Sequence, residues 1–138
     1  MADGDMAQAA ELATQLGYPS TAEEVALRFA ALRERSTEAV LVAADAEGRA
    51  IGWIHVGRVF SLAVSDTALI GGLVVDEAHR SERIGAELLA AAEAWARDQG
   101  VRTMTVSSRV TRDGAHRFYL REGYELRKTS HVFAKPLV

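Results

Sequence analysis

The chain has 138 residues and a formal net charge of -3 at pH 7, and it contains no cysteine. This length predicts one domain, residues 1–138, that is large enough to bury its own core. The acidic balance argues against a nucleic-acid partner, and the lack of cysteine excludes disulfides and thiolate metal sites. No apolar run approaches ~18 residues and the N-terminus lacks a signal-peptide layout, so we expect a cytoplasmic protein without a membrane partner or a bound metal.

Two helices are predicted ahead of the first strand. The first is capped by Asp5 or a neighbour and runs through Leu16, because Gly17 is a residue type that commonly ends a helix. The second begins at a capping box, because Ser20 and Thr21 precede Glu23 and Glu24 at the spacing that lets each side chain cap the other's backbone. It extends toward Arg33.

Apolar runs then predict a sheet. Strands at Ala39–Ala44 and Ala50–Val59 are joined by an acidic, glycine-containing turn over residues 45–49, which indicates a hairpin. The next strand, Thr67–Val75, contains Gly71 and Gly72 in its interior. Paired glycines in a strand predict a β-bulge or a close approach of another group to the backbone.

The second half of the chain alternates between helices and strands. A long helix over residues 82–99 carries apolar residues at helical spacing and ends at Gly100. A strand at Val101–Val106 is followed by a short helix that ends at Gly123. Two further strands are predicted to complete the sheet, at Tyr124–Arg127 and His131–Lys135.

The junction between strand 67–75 and the long helix has the local pattern of an anion site. The first N–H groups of a helix have no partner inside it and carry a partial positive charge of roughly half a unit. Arg80 and Arg83 add formal charge, and Gly85 lacks a β-carbon that would keep an oxygen from the backbone. Taken alone, the segment fits an ordinary connection with solvated arginines equally well.

Two sequence blocks together resemble the GNAT superfamily of N-acetyltransferases. The loop Arg80–Ala86 is similar to the family's R/Q-x-x-G-x-G/A pattern, although Arg83 stands where the first glycine is usual. The block Ala115–Tyr124 matches the pattern A-x-x-F-Y-x-x-x-G-F/Y. The resemblance extends from about Glu38 to the C-terminus, and it implies an acetyl-CoA-dependent N-acetyltransferase.

The resemblance also implies the fold class, which is α/β of the α+β type. We expect a mixed, mostly antiparallel sheet with helices on both faces, which splits where strands 67–75 and 101–106 diverge. Relatives usually begin with an edge strand, but only residues 1–4 precede the first predicted helix here. That edge strand is therefore expected to be short or missing.

The resemblance places acetyl-CoA along the split in the sheet. Pantetheine would meet the backbone of residues 73–75, and the diphosphate would lie at the loop, where Arg83 either obstructs it or clamps it. Ser108 and Arg109 stand where relatives often carry a serine-asparagine pair, so a serine would have to replace the amide. The implied coenzyme contacts are Leu73, Val74, Val75, Arg80, Ser81, Glu82, Arg83, Ile84, Gly85, Ala86, Ser108, Arg109, Phe118 and Tyr119.

Two catalytic roles follow from the resemblance and from side-chain chemistry. Tyr119 matches the family position whose phenol protonates the departing thiolate, and a phenol with a reference pKa near 10 is protonated at neutral pH. His55 alternates with Trp53 on its strand and is the candidate general base, because imidazole titrates near neutrality. Asp66, His116 and a chain of water molecules are the alternatives for the base.

The leading hypothesis is direct attack of a primary amine on acetyl-CoA in a ternary complex. The acceptor is left open among small polyamine-like or aminoglycoside-like amines, amino acids and protein amines. A non-catalytic acyl-CoA-binding or regulatory module with a weakened loop is the main alternative, and a nucleotide-binding protein is a third. A homodimer is also expected by analogy with relatives, with residues 131–135 as the contact.

Overall fold

A computed structural model describes residues 1–80 and 82–138. The helices and strands, in chain order, are α1 Met6–Leu16, α2 Ala22–Arg33, β1 Glu38–Ala44, β2 Ala50–Val59, β3 Thr67–Val75, α3 Ile84–Asp98, β4 Thr103–Val106 and α4 Asp113–Arg121. They group into two compact units, 1–106 and 107–138, and each is described by itself. A single domain therefore stays a prediction. None of the helices in the described part is long and apolar enough to span a membrane.

The first two helices form for the local reasons that the sequence indicates. α1 ends at Gly17, which has a φ of 108° in the left-handed region. At the start of α2, the Glu24 N–H donates to the Thr21 hydroxyl at 3.1 Å, and the Thr21 N–H donates to the Glu24 carboxylate at 3.2 Å. Asp5 differs from expectation, since its carboxylate accepts from the Ala2 N–H rather than capping α1.

The sheet has the strand order β1-β2-β3-β4. The first two pairings are antiparallel and the β3–β4 pairing is parallel, which confirms the predicted mixed, mostly antiparallel sheet. In the β1–β2 turn, the Asp45 carboxylate accepts from the N–H groups of Glu47 and Arg49. No strand precedes α1 among the described residues, as predicted, and Asp3–Asp5 form a short 3-10 turn there.

Helices cover both faces of the sheet. Consecutive side chains of a strand point to opposite faces, and Gly52 and Trp53 of β2 show which helix lies on each. A β-carbon at Gly52 would lie 3.1 Å from Leu88 of α3. The Trp53 indole instead donates to the Ala9 carbonyl of α1 at 3.2 Å. We call the side of the sheet that bears Trp53 and His55 the α1 face.

The two strands predicted after α4 are wrong. Tyr124–Arg127 and His131–Lys135 have no regular secondary structure, and Val132 and Phe133 are each 92% exposed. Residues with a high β propensity form a strand only where a neighbouring strand accepts their backbone hydrogen bonds. The unit 107–138 includes no strand among its described residues, so these segments have no such neighbour within it.

Candidate active site

The parallel ladder between β3 and β4 is short. β4 pairs only with residues 67–70 of β3, and the last pair is Ile70 with Val106. β3 continues for five more residues, Gly71–Val75, for which the described residues provide no strand on that side. This is the divergence of strands that the family resemblance implies, and it leaves an open edge inside the sheet.

The hydrogen bonds at the end of β3 show which backbone groups face the open edge. The Asp76 N–H donates to the Ile51 carbonyl of β2 at 2.8 Å. Because successive residues of a strand direct their N–H and C=O groups to opposite sides, Val74 also faces β2, whereas Leu73 and Val75 face away from it. The main-chain groups of Val74 therefore point toward β2 and are not available to pantetheine. Those of Leu73 and Val75, the other two predicted pantetheine contacts, face the open edge.

A β-bulge lies at the start of this open segment. His55 of β2 pairs with Gly72 and Val56 pairs with Ile70, so Gly71 is an extra residue. A β-carbon at Gly71 would lie 2.6 Å from His55 Nδ1, and one at Gly72 would lie 2.9 Å from the Trp53 ring. The predicted bulge is confirmed, and the groups that approach the glycines are side chains of β2.

The helix that follows begins two residues later than predicted. Its N-cap is Arg83, which has a φ of 62° and so adopts the left-handed conformation that glycine prefers. The first helical bond joins the Glu87 N–H to the Arg83 carbonyl at 3.2 Å. The N–H groups of residues 84–86 precede that bond and have no partner within the helix. Arg83 is exposed and forms no ion pair with another described residue.

The other predicted loop residues have different surroundings. Arg80 donates from Nε to the Val75 carbonyl at 3.2 Å, so it occupies one of the acceptors at the open edge. The Glu82 carboxylate lies 2.9 Å from His79 Nδ1. Ile84 is buried, which leaves its backbone as the part available to an anion. Ser81 lies outside the described residues.

Gln15, at the end of α1, was not predicted as a site residue. Its amide NH₂ donates to the Asp76 carboxylate at 3.3 Å, and its amide oxygen accepts from the Glu77 N–H at 3.1 Å. These bonds attach the end of α1 to the start of the loop. The partners are more than 60 residues apart in the chain, so only the folded structure brings them together.

His55 has a carboxylate partner that sequence reasoning also missed. His55 Nε2 lies 2.7 Å from Glu38 Oε1, and the two side chains are 27% and 16% exposed, respectively. In the hairpin register Glu38 is opposite Gly57, whose missing side chain leaves room for the carboxylate. The available signal was an acidic residue at the start of an otherwise apolar strand, combined with that register.

The alternative bases are held in other ways. His116 Nε2 lies 2.8 Å from the Arg109 carbonyl, which also accepts from the Arg112 N–H. Asp66 is exposed, and its backbone carbonyl accepts from residues 102 and 103 at the start of β4. Among the described residues, neither His116 nor Asp66 contacts a carboxylate, whereas His55 does.

The unit 107–138 contains the remaining predicted site residues. The Tyr119 ring packs edge-on against Phe118 at 5.1 Å between centroids and lies 5.7 Å from Tyr124. Burial raises the pKa of the Tyr119 phenol above 10.0, and Arg112 opposes this effect. The phenol is therefore protonated at neutral pH. The Ser108 hydroxyl is buried without a hydrogen-bond partner among the described residues, a state that a bound polar group would relieve.

Comparison with known proteins adds a family and several relatives. The family model described as Acetyltransferase (GNAT) family matches residues 6–124. An aminoalkylphosphonate N-acetyltransferase of Salmonella typhimurium is 41% identical over 92 residues, which are 65% of this chain. The alignment spans 58% of that relative, which is less than two thirds of its length.

Solved structures share the fold. The aminoglycoside 6'-N-acetyltransferase AAC(6')-Ih from Acinetobacter baumannii has a TM-score of 0.84 at 15% identity, over 100% of this chain and 96% of its own. AAC(6')-Iy, in complex with the bisubstrate analogue CoA-S-monomethyl-acetylneamine, has a TM-score of 0.83 at 17% identity, over 99% and 95% of the two chains. At these identities the likeness concerns the fold alone.

Proposed function

This chain belongs to the acetyltransferase (GNAT) family, and from that premise we propose that it transfers the acetyl group of acetyl-CoA to a primary amine. The observation that carries the proposal is the open edge of β3. Leu73 and Val75 direct backbone groups away from β2 there, and the loop that follows leads to the unpaired N–H groups of α3. An extended amide-bearing arm with a diphosphate at one end has the chemistry to satisfy both.

Coenzyme recognition is proposed to use both backbone and side-chain groups. The main-chain groups of Leu73 bind a pantetheine amide, and Val75 contributes its N–H at the thioester end, since Arg80 already donates to the Val75 carbonyl. The N–H groups of residues 84–86 together with Arg83 bind the diphosphate. The buried Ser108 hydroxyl is a further donor that lacks a partner among the described residues. Acetyl-CoA, when bound, supplies an acyl group activated as a thioester.

The catalytic groups are proposed as follows. The N–H of Val75 polarises the acetyl carbonyl, because a fixed donor stabilises the negative charge that develops on this oxygen. As the C–N bond forms and the C–S bond breaks, Tyr119 donates a proton to the departing sulfur. The raised pKa of its phenol supports this role, since the group keeps its proton at neutral and moderately alkaline pH.

The first acceptors to test are aminoalkylphosphonates. The Salmonella typhimurium relative is named for them, and it is 41% identical over the aligned region. Aminoglycosides are the second class, supported by fold likeness only, followed by polyamines, amino acids and peptide amines. The net charge of -3 gives mild support to cationic acceptors.

Two measurements on the full chain test the proposal. Isothermal calorimetry is expected to detect acetyl-CoA binding, and a thiol-release assay is expected to detect turnover with at least one amine of the panel. Binding without turnover across the panel would favour the acyl-CoA-binding module instead. Absence of binding would remove both functions, and competition by ATP would favour a nucleotide-binding protein.

We also propose a cytoplasmic location and a homodimer that uses the C-terminal segment. Apolar side chains in this segment are largely exposed, among them Leu126, Val132, Phe133 and Leu137. Exposed apolar groups of this kind commonly mark a contact surface. Sedimentation analysis is expected to give the mass of two chains, and truncation after residue 124 should give one. An unchanged mass after truncation would exclude this contact.

A further inference from the structure

We infer that Glu38 and His55 together accept the proton of the substrate amine, with His55 as the catalytic base and Glu38 as its positioning residue. This inference rests on the proposed acetyltransferase function and adds to it the identity of the base and the place where the amine binds. The site is the α1 face of the sheet beside the bulge at Gly71.

The hydrogen bond between the two side chains determines which imidazole nitrogen is basic. A carboxylate only accepts hydrogen bonds, whereas a neutral imidazole has one N–H and one lone pair. Because Glu38 Oε1 lies 2.7 Å from His55 Nε2, the proton is on Nε2 and the lone pair is on Nδ1. Glu38 thus fixes both the tautomer and the orientation of the ring.

The basic nitrogen faces the bulge. A β-carbon at Gly71 would lie 2.6 Å from His55 Nδ1, so glycine at this position lets the imidazole lie against the backbone of β3. Gly71 itself is exposed, and the His55 side chain is 27% exposed. A proton donor outside the protein can therefore reach the ring beside the bulge.

The surface next to the bulge is partly exposed. Paired residues of an antiparallel ladder lie on the same face, so Leu69, which pairs with Gly57, shares the α1 face with His55. Leu69 is 40% exposed, and its partner Thr105 on β4 is also exposed. Next to the pair the Glu38 carboxylate covers Gly57, and the Thr105 hydroxyl donates to the Ala68 carbonyl at 3.3 Å. The exposed Leu69 side chain is therefore the floor of this site, with Glu38 and His55 beside it.

This floor is close to the open edge of β3. A strand rises about 3.3 Å per residue, so Leu73 is about 7 Å along the strand from Gly71 and Val75 is about 13 Å. An amine that attacks the acetyl carbon beside these backbone groups is therefore too far from His55 Nδ1 for a direct hydrogen bond, and a chain of water molecules carries its proton to Nδ1.

The proton balance gives each residue one task. An ammonium group first breaks one N–H bond and passes that proton through water to His55 Nδ1, and the freed lone pair attacks the acetyl carbon. The resulting imidazolium keeps its hydrogen bond to the Glu38 carboxylate and later releases its proton to water. As the amide forms, a second proton leaves the nitrogen for water, and Tyr119, which has given its proton to the departing thiolate, regains one from water.

The other charged groups near the pair have partners of their own. Arg33 of α2 and the amino group of Met1 line the same cavity as Glu38. Arg33 is paired with Asp3 at 3.2 Å, and the Met1 amino group donates to the Val40 carbonyl at 3.2 Å. Toward α1 the neighbouring side chain on β2 is the neutral Trp53 indole. Among the described residues, Glu38 is therefore the charged group that contacts the His55 ring directly.

The test is the pH dependence of kcat/KM for thiol release by the full chain with an accepted amine. His55→Gln is expected to lower kcat/KM by about 10²- to 10⁴-fold and to remove the acid limb that belongs to the imidazole. Glu38→Gln keeps the shape of the side chain but replaces the carboxylate by an amide, which can also donate and so no longer fixes the lone pair on Nδ1. It should lower kcat by about tenfold with little change in KM for acetyl-CoA. His116→Gln, the same substitution at the competing histidine, should leave the profile unchanged.

The outcomes separate this inference from the proposed function. If the wild type releases thiol but His55→Gln keeps its rate and its acid limb, or if only His116→Gln moves the limb, the inference is overturned. A Glu38→Gln kcat equal to that of the wild type, or a loss confined to KM, would remove the positioning role. Acetyl-CoA binding by calorimetry and thermal unfolding of each variant verify folding, and failure of the wild type itself would count against the proposed function.

Discussion

Arg83 is the residue at which conformation and binding make opposite demands. Among the described residues it is the one non-glycine position with a positive φ, at 62°. A side chain in the left-handed region costs about 1–2 kcal/mol, and glycine avoids that cost. Glycine also has more conformational freedom in the unfolded chain, which costs about 0.5–1 kcal/mol. We therefore expect Arg83→Gly to leave the free energy of unfolding unchanged or to raise it by about 1 kcal/mol.

The same substitution, Arg83→Gly, is expected to weaken the binding of acetyl-CoA. The guanidinium of Arg83 is exposed and has no ion-pair partner among the described residues, so it is available to a diphosphate. A hydrogen bond to a charged group contributes about 1.5–3 kcal/mol. Its loss corresponds to acetyl-CoA binding that is roughly ten to a hundred times weaker.

Urea denaturation and isothermal calorimetry measure the two effects separately. Arg83→Asn is the matched control, because asparagine tolerates the left-handed region but carries no charge. It should lose as much coenzyme affinity as Arg83→Gly, with a smaller change in stability. Tighter binding by Arg83→Gly would instead mean that the arginine obstructs the diphosphate, and equal binding would mean that its side chain is only solvated. Either result would refute the reasoning.

Three further predictions concern Tyr119 and Gly72. Tyr119→Phe should slow thiol release by about 10²- to 10⁴-fold with little change in acetyl-CoA affinity by calorimetry; equal losses in both would exclude the acid role. Because burial places the folded-state pKa of Tyr119 above 10.0, its contribution to stability is intact below pH 10 and declines as pH rises through the folded value. The urea midpoints of wild type and Tyr119→Phe should therefore change relative to each other only in that alkaline range. Gly72→Ala places a β-carbon 2.9 Å from the Trp53 ring and should cost about 1–3 kcal/mol in urea denaturation, so an unchanged midpoint would contradict this packing.

Elements whose signals are local in sequence were predicted well. The capping box of Thr21 and Glu24 and the helix end at Gly17 need only neighbouring residues to form. The two central strands were also predicted, because the apolar runs that form them are bounded by clear turn residues. The family was identified from two such blocks, and the match over residues 6–124 confirms it. The mixed sheet with helices on both faces followed from that resemblance, and it is also confirmed.

Features that depend on contacts between distant segments were missed or wrong. The Glu38 contact with His55 requires the β1–β2 register, and the Gln15 contacts require α1 to pack beside the end of β3. The strands predicted over residues 124–127 and 131–135 failed for a related reason. Their β propensity is real, but a strand is defined by a partner, and local sequence does not supply one.

The bulge at Gly71 connects the two halves of the proposed reaction. Without an extra residue, strict alternation would direct the backbone groups of Gly72 and Val74, rather than those of Leu73 and Val75, toward the open edge. The same extra residue brings both glycines to the α1 face, where His55 and Trp53 occupy the space that side chains would fill. One inserted residue thus sets which amides can hold an acyl carrier and also leaves the imidazole of His55 accessible beside them. A substitution at the bulge should therefore disturb coenzyme binding and proton transfer together, whereas changes at Arg83 or Glu38 should affect one and spare the other.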